Sequence, residues 1–294
     1  MTSLLRNPRV IAALIAAWFI PTIVFWLRLS SDLLLNDGLV YRAGAEALLA
    51  GGDPWAATVN GYSYAAPPLE LVPFIPGALV PVPVFMVAWG AICAASVLII
   101  GRRLGWVWLL YPPLLHGAWL GNPAIPGMVA VMLGLPLLGL VLKPQLLFVG
   151  TRRAVAIFAV LSLLALALRP DFLAAISSLV GRYGDQSTVV NAWMTPWMIP
   201  VGISLIMLAR RDRQAAAWLV MPAIGPAMGW YGYAMVLPVG STWLSVACAI
   251  PVPGLGPAAI ALYGISRYVG WSPSTTWAAR RGRAADQGGV ATTG

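Results

Sequence analysis

The sequence predicts an all-α integral membrane protein, a polytopic bundle of about eight helical spans. Hydrophobic residues make up 60% of the 294 residues, the mean hydropathy is +0.83 and charged residues account for 9%, whereas soluble domains carry about 25% charged residues. Arginines cluster in short connectors between the apolar runs, which is a signal of membrane topology. The 14 Trp and 9 Tyr suit aromatic belts at the two membrane surfaces.

The composition also excludes several classes of function. The net charge of +9 comes from these inter-span clusters and not from one basic face, so we expect no nucleic-acid partner. The two cysteines, Cys93 and Cys248, both lie in apolar runs and predict no disulfide framework. A single histidine cannot build a His-based zinc site. We therefore expect no metal and no cofactor.

The first apolar run, residues 10–27, is long enough to cross a bilayer, and Arg6 and Arg9 before it predict a cytoplasmic N-terminus. No small-residue cleavage site follows it, so we interpret it as a retained span. Residues 28–83 then form a polar external segment, which predicts a surface helix over 38–50 followed by a loop over 53–68. Asn36 or Asp37 is the expected N-cap of that helix, and Gly51-Gly52 closes it.

Alternating apolar runs and arginine clusters predict the remaining spans. They cover residues 84–100, 104–120, 123–150, 154–168, 193–209, 215–236 and 243–266. The run 123–150 contains Pro126, Pro136 and Pro144 and is expected to be a broken helix. Residues 1–266 thus form one transmembrane domain, and residues 267–294 form a basic cytoplasmic tail, which places both termini inside.

Asp37 is the first candidate for chemistry, because a carboxylate at the membrane surface can act as a general base on a hydroxyl. Capping of the surface helix is an equally good explanation of an Asp at this position. Tyr41 follows on the same helix face. Arg42 and Glu46 have the spacing of an i,i+4 ion pair, and Glu70 stands unexplained in an apolar approach to the next span.

Lys143 is the second candidate. It is the only lysine of the chain and stands inside an apolar segment, where a charge is costly and indicates function unless the side chain reaches the headgroups. A phosphate is the expected partner of this cation. His116 could donate to a phosphate or a sugar hydroxyl, and Tyr64 could stack on a sugar ring, although structural roles are equally compatible with both.

The order of several short motifs resembles a known family. Asp-x-x-Val-Tyr follows the first span, then A-x-A-L-L-A-G-G-D-P-W, then a Tyr-rich loop ending in Pro67-Pro68. Gly121-Asn122 follows a later span, and Lys143-Pro144-Gln145 precedes a basic connector. Over residues 10–155 the chain is similar to the polyprenyl-phosphate-mannose-dependent α-mannosyltransferases of bacteria, which are integral-membrane C-type glycosyltransferases.

This resemblance implies an inverting, metal-independent transfer of a sugar, with mannose as the expected sugar, in the bacterial cytoplasmic membrane. The donor would be a polyprenyl-phosphate-linked sugar, and the acceptor a glycolipid or glycan on the outer face. Asp37 would be the catalytic base. The expected substrate-binding residues are Tyr41, Arg42, Tyr64, His116, Asn122, Lys143 and Gln145.

The chain departs from the family pattern at Ala65-Ala66, which separate Tyr64 from the two prolines, and it is short for the family. These departures motivate an alternative, a catalytically inactive relative that acts as a membrane scaffold or as an assembly subunit of a protein complex. A transporter or lipid flippase is a third interpretation, favoured by the broken helix and the intramembrane charge. No inverted repeat supports it, and it leaves the external segment unexplained.

Overall fold

Short helices separated by turns make up most of the described part of the chain. The computed structural model describes residues 33–175, 192, 195–225 and 229–270. The α-helices with both ends among these residues are α1 Asn36–Leu49, α2 Ile75–Ala78, α3 Val82–Leu104, α4 Pro112–Trp119, α5 Ala124–Met132, α6 Pro136–Leu142, α7 Arg152–Leu168, α8 Met198–Ala209, α9 Arg213–Ile224, α10 Thr242–Ala249 and α11 Leu255–Tyr268. The 3₁₀ helices are Pro54–Ala56, Pro68–Phe74, Trp106–Leu110, Pro144–Val149 and Trp230–Val239. The predicted all-α class is therefore confirmed.

One helix of the described residues, α3, is long and apolar enough to cross a bilayer, with 23 residues and a hydropathy of 2.3 over its most apolar window. Several other helices carry large apolar side chains that are mostly exposed. On α7, for example, Leu163 is 67% and Leu168 72% exposed, and Ala154 is its only buried residue within the described part of the chain. The prediction for residues 10–27 lies outside the described residues.

Three of the predicted spans are divided in the structure. Residues 104–120 form a 3₁₀ helix and then α4, because Gly105 has a φ of 127° and Pro112-Pro113 can only begin a helix. Residues 215–236 form most of α9 and part of a separate 3₁₀ helix, and residues 243–266 are divided between α10 and α11 at Gly254. The expected break in 123–150 is confirmed, since α5, α6 and a 3₁₀ helix replace one continuous helix.

A helix is present where the sequence predicts one over 38–50, as α1, but its N-terminus differs from the prediction. The helix begins at Asn36, and its N-cap is Leu35, which adopts a left-handed conformation with φ of 56°. No side chain caps the helix. The predicted N-cap role of Asn36 or Asp37 is therefore wrong. Backbone carbonyls of a distant segment take that role: Leu35 N donates to Trp119 O at 2.7 Å and Asp37 N donates to Leu120 O at 2.8 Å.

A β-hairpin replaces part of the predicted loop. Strands β1 (Thr58–Val59) and β2 (Tyr62–Ser63) pair antiparallel, with Thr58 opposite Ser63. Asn60 and Gly61 form the turn with φ values of 49° and 79°, the conformation that Asn-Gly favours in two-residue hairpins. The Asn60 amide donates to Asn36 Oδ1 at 3.0 Å, which ties the hairpin to the start of α1.

Close packing holds α1 against α3. A Cβ on Gly38 would lie 2.5 Å from the Trp89 indole, and the Trp89 Nε1 donates to Gly121 O at 2.8 Å. Helix α1, the 3₁₀ helix Pro68–Phe74 and the first half of α3 share one buried apolar cluster. A second cluster joins α4, α5 and α6, and a third joins α8, α9 and α11. The first cluster includes Tyr41 and Tyr64, two of the predicted substrate-binding residues.

Candidate functional site

The Asp37 carboxylate is held by an amide from a distant part of the chain. Its Oδ2 accepts a hydrogen bond from Asn122 Nδ2 at 2.6 Å. The Asn122 Oδ1 in turn accepts from Ala124 N at 2.9 Å, at the start of α5. Because the amide oxygen is engaged by a backbone N–H, the amide nitrogen must face the carboxylate. Asp37 as a whole is half-buried.

The turn after α4 determines where Asn122 lies. Gly121 has a φ of 65°, a conformation that an L side chain rarely adopts, and Asn122 N donates to Gly117 O at 2.8 Å. A Cβ on Gly121 would also lie 3.0 Å from the Trp89 Nε1. The Gly-Asn pair is thus required by the backbone geometry that brings the amide to Asp37.

Tyr41, one helical turn after Asp37 on α1, contacts a second carboxylate and the only lysine of the chain. Tyr41 OH donates to Glu70 Oε2 at 2.8 Å and accepts from Lys143 Nζ at 3.1 Å. The ammonium is 4.0 Å from Glu70 Oε2 and 5.7 Å from the centre of the Tyr41 ring. Burial raises the pKa of the Tyr41 phenol, so it stays neutral and can donate and accept at once.

The break between α6 and the following 3₁₀ helix positions Lys143. Helix α6 ends at Leu142, Lys143 is extended with φ of −153°, and Pro144 begins the 3₁₀ helix. The Lys143 side chain is 7% exposed, and its ammonium contacts Tyr41 and Glu70. The arrangement matches the interpretation of Lys143 as an inward-facing cation and not that of a side chain that reaches for headgroups.

The two carboxylates of this cluster have shifted acidities. Burial raises the pKa of Asp37, whereas the hydrogen bond from Asn122 and the charge of Lys143 lower it. Although Asp37 keeps exposed surface, the protein around its carboxylate removes most of the water. Burial also raises the pKa of Glu70, to about 7, against the opposing effects of Lys143 and of the Tyr41 hydroxyl. Both carboxylates interact with the same ammonium.

Tyr64 supports the cluster from behind. It is fully buried, donates to Pro67 O at 2.6 Å, and meets the Tyr41 ring edge-on at 5.2 Å. A Cβ on Gly44 would lie 3.1 Å from the Tyr64 ring, so the close contact depends on glycine. Tyr64 therefore orients Tyr41 and has no exposed face that could stack on a sugar.

Other predicted substrate-binding residues lie in different surroundings. Arg42 donates to Gly77 O at 3.0 Å and to Val80 O at 2.9 Å, and it forms the predicted ion pair with Glu46 at 2.7 Å. The ion pair is confirmed, and the guanidinium has no contact with the Asp37 cluster among the described interactions. His116 packs against the aromatic rings of Trp230 and Tyr231 at 5.9 and 6.2 Å. Gln145 Oε1 is buried and accepts no hydrogen bond from the described residues.

The sequence-based list of site residues missed Glu70. A carboxylate in the apolar run after Pro67-Pro68 was the available signal, but nothing in the sequence indicates that it meets Tyr41 and Lys143. The described residues contain no group of three or more His, Cys, Asp or Glu side chains that could hold a metal ion. The site thus consists of Asp37, Asn122, Tyr41, Glu70 and Lys143.

Comparison with known proteins adds no relative. No protein-family model matches the chain, and neither a curated protein nor a solved structure shows significant similarity to it.

Proposed function

We propose that the protein is a membrane glycosyltransferase that transfers a sugar, with mannose as the expected one, from a polyprenyl-phosphate-linked donor to a hydroxyl acceptor. The acceptor would be a glycolipid or glycan at the outer face of the bacterial cytoplasmic membrane. Both termini would be cytoplasmic, and residues 28–83 would be external. The proposal rests on the motif resemblance and on the geometry of the Asp37 cluster.

One observation carries the proposal: the carboxylate of the half-buried Asp37 and the buried Lys143 ammonium belong to one cluster against α1. The Asp37 carboxylate is positioned by Asn122, and its acidity responds to the charge of Lys143. A base for an acceptor hydroxyl and a cation for a leaving phosphate are the two charged groups that this reaction needs. Asp37 forms no side-chain cap of α1, whose N-cap is Leu35, although its place in the first turn still suits the helix dipole.

The proposed step is a single displacement. The acceptor hydroxyl gives its proton to an Asp37 carboxylate oxygen, and its oxygen forms a bond with the anomeric carbon. The bond between that carbon and the phosphate oxygen breaks, and the leaving polyprenyl phosphate keeps the electron pair. Lys143 stabilises the additional negative charge on the phosphate. Attack from the face opposite the phosphate inverts the configuration.

Exposed apolar faces support the proposed membrane location. Helix α3 is long enough to span, and α7 and α8 present large apolar side chains outward, including Leu163, Leu168 and Ile199 at 67%, 72% and 71% exposure. In water, these side chains would lack the favourable free energy that burial of apolar surface provides. A bilayer would cover these faces and would also hold the polyprenyl tail of the donor.

The test is a transfer assay with the purified full-length chain, a polyprenyl-phosphate mannose donor and membrane extract as the source of acceptor. We expect Asp37→Asn to abolish transfer, because the amide cannot accept the proton. Asp53→Asn is the matched control. Asp53 is an exposed acidic residue of the same external segment whose Oδ1 accepts from Trp55 N at 2.9 Å, and Asn keeps that acceptor.

Full activity of Asp37→Asn would show that the assigned base is wrong. Absence of transfer in the wild-type protein, together with stable copurification of a partner complex, would favour the alternative of an inactive relative that acts as an assembly subunit.

A further inference from the structure

Two buried charged groups, Glu70 and Lys143, lie near a third, the half-buried Asp37. Glu70 and Lys143 are 1% and 5% exposed, and Tyr41 bridges them. Asp37 also interacts with the Lys143 ammonium. Two ionised carboxylates and one ammonium give the cluster a net charge of −1, and a net charge in a poorly solvated place is unfavourable.

Glu70 lies beside the Lys143 ammonium, the cation that an incoming phosphate would need as its partner. The ammonium of Lys143 has donors for several acceptors, but within the cluster they are directed to Tyr41 and towards Glu70. A lysine head on a flexible four-carbon stem can exchange one anion for another. A phosphodiester bound there would raise the net charge of the cluster to −2 unless one carboxylate is neutralised.

We propose that Glu70 is a counterion that a lipid phosphodiester displaces from Lys143, and that this binding is coupled to the uptake of one proton by Glu70. The proposal rests on the proposed function, because it takes the donor phosphate as the anion, and it adds a regulatory property of the same site. Glu70 acts through Lys143, so it is a positioning residue and not a catalytic one.

The acidities agree with this exchange. The charge of Lys143 lowers the pKa of Glu70 against the effect of burial, which leaves it at about 7. When a phosphate pairs with the Lys143 ammonium in place of Glu70, the charge of Lys143 no longer lowers the pKa of Glu70, and that pKa rises. The proton therefore comes from solvent at neutral pH, and Tyr41 can remain the hydrogen-bond partner of the protonated carboxyl.

Any test must distinguish the titration of Glu70 from that of the other ionisable groups around the cluster. Tyr64 and Tyr231 lie near the Tyr41 phenol, and their charges would affect it only at strongly alkaline pH. Asp37 senses Lys143 in the same way as Glu70, so its titration is the main competitor. A diester phosphate does not titrate between pH 5 and 9, which makes it the appropriate probe.

The experiment is calorimetric titration of the full-length protein in detergent with farnesyl-phosphoryl mannose. Each titration is repeated in two buffers of different ionisation enthalpy, so that proton uptake is measured directly. We expect uptake that approaches one proton near pH 8, and an affinity that falls up to about tenfold per pH unit above pH 7. Glu70→Gln should take up no proton, and at pH 8 it should bind about tenfold more tightly than the wild type.

Three variants complete the design. Asp37→Asn should keep the proton uptake, and Glu46→Gln, which alters the exposed carboxylate paired with Arg42 on the same helix, should keep both affinity and uptake. Lys143→Met should lose binding. The proposal is overturned if Glu70→Gln keeps the wild-type uptake, if Asp37→Asn removes it, or if Glu70→Gln binds more weakly.

A parallel titration with dioctanoyl phosphatidylglycerol distinguishes the two sources of a lipid phosphodiester. Tighter binding of the mannose lipid supports both the exchange and the proposed donor. Equal binding and equal proton uptake with the glycerophospholipid support the exchange at Lys143 but count against a sugar donor. Absence of binding by both lipids overturns the exchange, whereas sugar transfer is judged separately by the Asp37 assay.

Discussion

Replacement of Asn122 by alanine tests the Asp37 assignment most directly. The substitution removes the 2.6 Å hydrogen bond that the amide donates to Asp37 Oδ2. That bond favours the ionised carboxylate, because it lowers the pKa of Asp37. Its loss should therefore raise the pKa, and the base form of Asp37 should persist only at higher pH.

The size of the shift follows from the type of hydrogen bond. A hydrogen bond to a charged group contributes about 1.5–3 kcal/mol, and a shift of one pKa unit corresponds to about 1.4 kcal/mol. Asp37 keeps exposed surface, so water can replace part of the lost interaction. We expect a rise of about one unit, at the lower end of that range.

The assay measures the initial rate of sugar transfer at low donor concentration as a function of pH, because the acid limb of kcat/KM reports the pKa of the base in the free enzyme. In Asn122→Ala the acid limb should lie about one unit higher, with about tenfold lower transfer below the limb and near wild-type transfer above it.

A second variant separates this effect from a loss of stability. Asn122 Oδ1 also accepts from Ala124 N, so alanine leaves that backbone donor without its acceptor. Serine at this position can still accept from the backbone N–H two residues on, but it is too short to reach Asp37. Both variants should shift the limb equally, and only alanine should lower the unfolding temperature. An unshifted limb in both variants would refute the assignment of Asp37 as the base.

Three further predictions concern stability. Gly38→Ala should destabilise the protein by about 1–3 kcal/mol in thermal unfolding, because the methyl group would meet the Trp89 indole at 2.5 Å. The control Gly202→Ala, whose methyl group would meet no atom within 4 Å, should stabilise α8 by up to about 1 kcal/mol. Equal effects of the two substitutions would contradict the packing argument. Burial raises the pKa of Glu70 from 4.5 to about 7, so its contribution is complete below pH 4.5 and is lost as the pH rises through 7. Unfolding followed against pH should thus show a decline of about 3 kcal/mol over that window, which Glu70→Gln removes. Arg42→Met should cost about 2–4 kcal/mol by leaving two backbone carbonyls without a donor. It should leave the pH profile of transfer unchanged, because the contacts described for Arg42 are with Gly77, Val80 and Glu46.

Local features of the sequence predicted local structure well. Proline spacing predicted the break in residues 123–150, and helical spacing with Gly51-Gly52 predicted α1 to within two residues at its start. Asn60-Gly61 carried a hairpin signal that a loop assignment based on composition overlooked. The division of residues 104–120 also had a visible cause in Pro112-Pro113. The hydropathy pattern of an apolar run with flanking arginines is the same, however, whether the run forms one helix or two.

The contacts between residues far apart in the chain could not be predicted from the sequence. Asp37 and Asn122 are 85 residues apart, and Tyr41 and Lys143 are 102 residues apart. Sequence position alone gives no reason for either contact. The N-terminus of α1 shows the same limit: Asp37 has the residue type and position of a cap, yet carbonyls from the turn after α4 satisfy the backbone amides instead. A cap is predictable only when no tertiary acceptor competes for the same N–H groups.

The choice of Asp37 over Glu70 as base follows from their surroundings and not from their chemical type. Glu70 is 1% exposed and is bonded to the Tyr41 hydroxyl, so an acceptor hydroxyl has no path to its oxygens without disruption of the cluster. Asp37 keeps exposed surface, and only its Oδ2 accepts the hydrogen bond from Asn122. Geometry therefore favours Asp37 over Glu70 as the proposed base. The interior position of Glu70, beside the Lys143 ammonium, suits a counterion of that cation, which explains why one site would keep two carboxylates of raised pKa, one on α1 and one on the 3₁₀ helix Pro68–Phe74.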